Sequence, residues 1–462
     1  MSSGSIAPAL GKGGRRRAAL VASILGSAIV FVDGTVVNVA LPAIQRDLGG
    51  GLTLQQWVVD SYLLTLGSLI LVGGSLGDLF GERRIFALGA GCFGVTSVAC
   101  ALAPNGTTLI VMRGFQGTAG ALLTPAALAT ITATFSGEER GAAIGTWTAW
   151  TGVSTVAGPL LGGWLVEVAS WRAIFLINVP VVLVTLGLIA VAIPARPQGA
   201  ARASVDVIGA LLCVGGLGGI VFGLIEEPRH GWTSPAIVAT LAGGALACAA
   251  FLAWEQRTRQ PMMPLSLFAR PNFGFANLET FSVYAGLSTL TFFLVLFLQQ
   301  LDGYSAFRSG LALLPVTVLM FTLSGLVGRT SATVGPRIFM GAGPLLCAVG
   351  ALALMRLGPG SGYWLGILPP LVVFGIGLAL IVAPLTTTVL ADADADDAGI
   401  ASGINNAVSR IAGLIGIAAI GVAVGGRGNG LDLHGFRLAM GITAGLLAVG
   451  GAIGLIGIRN PG

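Results

Sequence analysis

The chain has 462 residues, of which 55% are hydrophobic and only 9% charged, and its mean hydropathy is +0.90. Soluble domains carry about a quarter charged residues, so this composition excludes a soluble fold and is that of an integral membrane protein. The net charge of +5 comes from arginines scattered over loops rather than from one basic stripe, which points to a membrane surface and away from nucleic acid.

The apolar runs exceed 20 residues and lack strand-type alternation, so helices rather than a transmembrane barrel are expected. At about 20 residues per crossing the sequence predicts fourteen spans: 18–44, 54–77, 85–103, 107–135, 140–168, 172–193, 206–225, 234–254, 272–299, 307–328, 336–356, 362–390, 399–424 and 435–458. Arg15, Arg16 and Arg17 precede the first, but the apolar run behind them continues to Pro42, too long for a cleaved leader. Residues 1–17 are therefore expected as a tail. Over alternate loops, the side of the amino terminus collects fifteen arginines and lysines and the other side seven. Positive charge concentrates inside, so both ends are expected in the cytoplasm. The remaining two, Arg113 and Arg410, fall within spans. The five cysteines also fall within spans, with neither disulfide nor metal-ligand spacing, and read as small core residues.

A loose repeat divides the chain. "GSLGDLFGERR" (Gly74 to Arg84) follows the second span and "GRTSATVGPR" (Gly328 to Arg337) the tenth, sharing glycine, six residues, glycine, one residue, arginine. If each follows the second helix of a six-helix unit, the layout is 6+2+6: residues 18–195, an inserted pair over 204–256, and residues 271–458.

Several charges lie deep in spans. At 1.5 Å per residue, Asp33 in "FVDGTVVNVALP" sits roughly 12 Å below the outer face and Arg113 roughly 10 Å below it, so they are level. Asp60 in "WVVDSYLL" lies about 8 to 10 Å from the outer end of span 2, and Glu279 in "NLETFSVY" about 12 Å from the inner end of span 9. Ionisable groups at such depth are functional candidates. Arg410, one helical turn after Asn406, marks a polar face of span 13 and is expected to orient helices more than to bind substrate.

Four segments resemble signatures of the major facilitator superfamily, in particular its fourteen-span drug:proton antiporter family. They are "VDGTVVNVALP" in span 1, "GGSLGDLFGERR" between spans 2 and 3, "RGFQGTAGA" in span 4 and "GPLLGG" in span 5. They occur in order, each on the matching span. Leu79 and Glu82 stand where the family usually carries basic residues, and Ala119 and Ser154 where it usually or often has glycine.

The resemblance implies an all-α fold of two six-helix bundles around a central cavity. The implied function is proton-coupled export of drugs or other amphipathic, lipophilic cationic compounds across the bacterial plasma membrane; a dedicated exporter of an endogenous antibiotic, metabolite or lipid is the alternative. No cofactor or metal is expected, the proton gradient being the driver, and the partners are the substrate, protons and the bilayer, with the protein a monomer.

In that frame Asp33 is the expected proton site, facing a water-filled space shared with Arg113, with a structural buried pair of the two as the alternative; Asp33→Asn is expected to abolish coupling while sparing the fold. Asp60, Glu279 and Arg410 are further cavity candidates. Gly74, Asp78, Gly81, Arg83 and Arg84 form an inner gate loop, in which Asp78 and Arg83 are read as a latch. Gly158, Pro159, Gly162 and Gly163 form a compliant, close-packed seam. An enzyme is not expected: the two histidines, His230 and His434, fall in separate loops, and no nucleophile, metal cluster or phosphate-binding loop is present.

Overall fold

The computed structural model describes residues 11–194, 205–392, 398–424 and 430–460. The acidic segment "ADADADD" (391–397) lies outside them from 393 onward, as do most of the expected tail and residues 195–204.

The elements are helices: α1 (Lys12–Leu48), α2 (Gly51–Phe80), α3 (Glu82–Ala101), α4 (Gly106–Thr134), α5 (Gly137–Val168), α6 (Ala173–Leu176), α7 (Asn178–Ala192), α8 (Val207–His230), α9 (Pro235–Arg257), α10 (Pro271–Leu296), α11 (Ala306–Val334), α12 (Pro336–Leu354), α13 (Leu368–Ala391), α14 (Ala398–Val424) and α15 (Leu433–Gly457). α1 begins at Lys12, inside the expected tail. Arginine is a good helix former, and Arg15, Arg16 and Arg17 extend the helix while remaining exposed. Side chains cap several starts: Asn105 accepts from Thr108 N at 2.9 Å, Asp206 from Gly209 N at 2.8 Å and Asp432 from Gly435 N at 2.6 Å, satisfying otherwise orphaned amides.

Twelve helices among the described residues, counting α6 and α7 as one broken span, are long and apolar enough to cross a membrane. The expected fourteen are thus not all found by length and composition. α4 and α5, at 29 and 32 residues, are long enough, but their glycines, threonines and charged groups, Arg113 among them, leave no window as apolar as in the others.

α1 to α7 pack on one another around Tyr62, Phe86, Phe93 and Leu123. α10 to α15 pack around Phe292, Phe374, Phe436 and Met440. Within the first set, α2 and α4 touch backbone to backbone: a Cβ built on Gly73 would lie 2.1 Å from Ala121 O, and one on Gly117 2.3 Å from Tyr62 O. Lipid tails are as apolar as the helices they surround, so close packing of small residues replaces hydrophobic drive.

The loose sequence repeat corresponds to a physical one. Gly81 ends α2 with φ +91° and Gly335 ends α11 with φ +97°, a region in which only glycine is at ease. Two residues on, Arg83 donates to Ala190 O at 3.1 Å and Arg337 to Leu455 O at 2.6 Å. Each arginine thus satisfies a carbonyl in the last turn of a neighbouring helix, α7 and α15, at its negative dipole end.

The two sets meet along α2 with α14, α5 with α11, and α1 with α10 and α11. Four hydrogen bonds between them lie near one end of the helices: Gln299 to Val39 O (2.9 Å), Gln300 to Gln45 (3.2 Å), Phe307 N to Glu167 (2.9 Å) and Gln56 to Ile417 O (2.9 Å). Toward the opposite end, where α1 starts and α15 finishes, α5 from Glu138 to Trp150 and α11 from Phe321 to Val334 are mostly exposed. α8 lies against both α2 and α14, so the inserted pair covers that seam and leaves the α5 and α11 seam uncovered.

Candidate functional site

Asp33 lies at the centre of a fully buried polar network inside the first set of helices. Its carboxylate is paired with Arg113 and also accepts from Gln116 Nε2 and Asn178 Nδ2, each at 3.0 Å. Arg113 is 1% exposed and Asp33 0%. The arginine is itself held by Val58 O at 3.1 Å and Gln116 Oε1 at 2.8 Å, and its guanidinium stacks 4.2 Å from the Tyr62 ring. Ser97 closes the network from α3, accepting from Gln116 at 2.9 Å and Asn178 at 3.3 Å. Tyr62 in turn donates to Val30 O at 3.1 Å.

The equal depth read from the sequence therefore becomes a direct ion pair. The expected water-filled space is not where the pair sits. Its partners come from α2, α3, α4 and α7, all of the first set, and not from α10, α11 or α14. Gln116, Asn178 and Ser97 escaped the sequence reading. Asn178, a lone amide in the otherwise apolar "FLINVPVVLV", was the available signal; the break between α6 and α7 falls beside it.

Asp60 and Glu279 are the reverse case. Both are 0% exposed, and neither oxygen of either carboxyl has a hydrogen-bond partner among the described residues. On α2, Gln56 faces Ile417, Trp57 donates to Glu226 of α8 at 2.8 Å, and Leu64 touches Gly218 of α8. Asp60 shares that face and lies at the junction of α2, α8 and α14. Glu279 lies one turn from Ser282, which donates to Leu446 O of α15 at 2.6 Å, and next to Thr280, which accepts from Asn405 of α14 at 2.8 Å. The structure brings neither acid into contact with Arg113 or Arg410.

Arg410 projects from α14 toward α1, its guanidinium 5.2 Å from the Phe31 ring. The residue is half-buried, and no carboxylate pairs with it among the described residues.

Of the loop motif, Gly81 and Arg83 have the roles described above, while Asp78 and Arg84 are exposed. The expected Asp78 to Arg83 latch is not formed, because the arginine is spent on the end of α7. Gly74 meets only Pro125, at 3.8 Å; its neighbour Gly73 makes the close approach. The span-5 motif joins α1 to α11. A Cβ on Gly158 would lie 1.9 Å from Thr35 Oγ1 and one on Gly162 2.6 Å from Val36, both in α1. One on Gly163 would lie 2.5 Å from Phe307 Cα, and Gly310 of α11 abuts Pro159 O.

Comparison with known proteins agrees with this architecture. Residues 23–417 match the Major Facilitator Superfamily model. The chain is 36% identical to the tetracenomycin C resistance and export protein of Streptomyces glaucescens, over 91% of this chain and 78% of that one. It is also 36% identical to the cephamycin export protein CmcT of Amycolatopsis lactamdurans, over 93% and 90%, and to the multidrug resistance protein Stp of Mycobacterium tuberculosis, over 87% and 74%. Among solved structures, a bacterial homolog of the human lysosomal transporter Spinster superposes with a TM-score of 0.68 at 18% identity, covering 96% of this chain and 97% of that one. With that fold, a family model spanning most of its length and relatives named for resistance and export, the chain belongs to the Major Facilitator Superfamily, a family of transporters and not of enzymes.

Proposed function

We propose that this protein is a proton-driven antiporter that exports amphipathic small molecules across the bacterial plasma membrane by alternating access. In this reading α4 and α5 also cross the bilayer, making fourteen spans. α1 to α7 and α10 to α15 form two six-helix bundles around a central cavity, and α8 and α9 are the inserted pair. Both termini are cytoplasmic, so the end closed by Gln45, Gln56, Gln299 and Gln300 is the outer one and the wedge between α5 and α11 opens inward. The protein works as a monomer and needs no cofactor.

The observation that carries the coupling is the contrast among the buried acids. Asp33 has an arginine and two amide donors to hold its charge, whereas Asp60 and Glu279 have no donor among the described residues. A buried charge without partners costs several kcal/mol, so an acid placed this way exchanges its proton when the helices around it part. Asp60 sits where the two bundles meet, and Glu279 beside α14 and α15 in the second. The Asp33 and Arg113 pair, which the sequence reading made the proton site, is assigned here to fixing the first bundle.

The test is substrate-driven proton release in proteoliposomes under an imposed pH gradient, comparing Asp60→Asn, Glu279→Gln and both together. Loss of coupling is expected in at least one single variant and in the double. Wild-type coupling in the double variant would exclude both acids. A second reading, an exporter dedicated to one compound, is favoured by the relatives named for single compounds, tetracenomycin C and cephamycin; a panel of structurally unrelated compounds separates the two.

A further inference from the structure

Arg113 is enclosed by its network, but Arg410 is not. Where α14 meets α2, a Cβ built on Gly67 would lie 3.1 Å from the Arg410 Cβ, so the two backbones are close and the root of the arginine is fixed. From there the side chain crosses between the two sets of helices to Phe31 of α1. Its Nε is buried without an acceptor, the residue as a whole is half-buried, and among the described residues no carboxylate lies within ion-pairing distance. Three residues on, a Cβ built on Gly413 would lie 2.6 Å from Ser288 Oγ of α10, so this part of α14 stands against α1, α2 and α10. Phe31, Tyr284 and Ser288 are likewise only half-buried. Asn406 and Ser409, its neighbours on α14, spend a donor each on the helix's own backbone, at 3.2 and 2.8 Å.

We propose that Arg410 is the recognition point for an ionised carboxylate, phenolate or enolate on a ring-bearing amphipathic substrate, with Phe31 presenting the apolar face on which the ring packs. A guanidinium offers a planar fork of donors suited to an anionic oxygen. An uncompensated positive charge in a narrow, partly dry space raises the local concentration of anions and repels cations. Orienting helices, the role read from the sequence, would require an acceptor on a neighbouring helix, and none is present among the described residues. The assignment reverses the sign of substrate charge that the family resemblance implied. It rests on the exporter reading for its biological meaning but not for its test.

Two dyes sharing one ring system serve as probes: fluorescein, an anion, and rhodamine 6G, a cation. Binding to purified protein in nanodiscs is followed by fluorescence anisotropy for wild type, Arg410→Gln and Arg410→Lys, with thermal melting as the check on folding. Wild type is expected to bind fluorescein at least tenfold more tightly than rhodamine 6G. Arg410→Gln is expected to lose at least tenfold in fluorescein affinity and to keep or improve rhodamine 6G binding; Arg410→Lys, which keeps the charge, retains the preference for the anion. Equal weakening of both dyes, a preference of wild type for the cation, or no fluorescein binding at all overturns the assignment. Flux of the same dyes in proteoliposomes separates the two layers. Arg410-dependent binding without transport would sink the exporter reading alone, and equal transport by wild type and Arg410→Gln would sink the Arg410 assignment alone.

Discussion

At the scale of single residues the deciding feature is how completely each buried charge is satisfied. Asp33 and Arg113 together engage Gln116, Asn178 and Val58 O and are closed off from solvent. Removing one member of such a pair leaves the other charged and buried, which typically destabilises by about 3 to 5 kcal/mol. Asp33→Asn is therefore expected to lower the melting temperature of the purified protein markedly, and Arg113→Gln likewise. The double substitution is expected to lose less than the sum of the two, because it strands no charge. This departs from the sequence expectation that Asp33→Asn spares the fold. An Asp33→Asn protein that melts like wild type while failing to release protons would return the proton site to Asp33. Depth along a helix, which the sequence supplies, showed that the acid and the base were level. It could not show which way either faced, and that direction separates a sealed pair from a cavity group.

Among elements, the contacts that matter are those where helix backbones nearly touch. Gly163 of α5 packs on Phe307 of α11, and Gly158 and Gly162 pack on α1, so one motif ties the two sets of helices at a single seam. The four hydrogen bonds between the sets lie toward the same end. Gly163→Val would place two methyl groups where the Phe307 backbone now lies, and overpacking of this kind costs about 1 to 3 kcal/mol. The strain falls on one conformation, so the expected result is a shifted balance between states: faster alkylation of a cysteine at Gln300 from the side where Gln45 lies, with folding retained. Unchanged alkylation would show that the seam yields elsewhere.

Much of this was legible beforehand, since runs of apolar residues measure out helices and the glycine, proline and arginine punctuation marks their ends. The Gly81 and Gly335 caps, each followed by an arginine reaching a neighbouring helix end, appeared in the sequence as a loose repeat. The Asp78 and Arg83 latch was misread because the partner, Ala190 O, is a backbone carbonyl, and no residue type announces one. α4 was counted as a span from its length, although Arg113, Gln116 and its small residues leave it less apolar than its neighbours.

For the whole molecule, the sign of the substrate's charge decides what drives the cycle. Exchange of one inward proton for one outward monovalent cation moves no net charge, so only the pH difference works on it, about 1.4 kcal/mol per unit. Exchange of one inward proton for one outward monovalent anion moves two charges in the same electrical sense. At about 2.3 kcal/mol per charge per 100 mV, that supplies about 4.6 kcal/mol, enough for roughly a thousandfold gradient or more. With Arg410 receiving an anion as proposed, exchange would be of the second kind, and the covered α2 and α14 seam would leave the α5 and α11 side as the way in. In proteoliposomes at equal pH inside and out, a potassium diffusion potential set with valinomycin is accordingly expected to drive fluorescein severalfold faster toward the positive side. The acceleration is expected to vanish in Arg410→Gln and in protein-free vesicles. Flux that responds to a pH difference but ignores voltage would mean that exchange is electroneutral, and the anion would then have to leave accompanied by two positive charges.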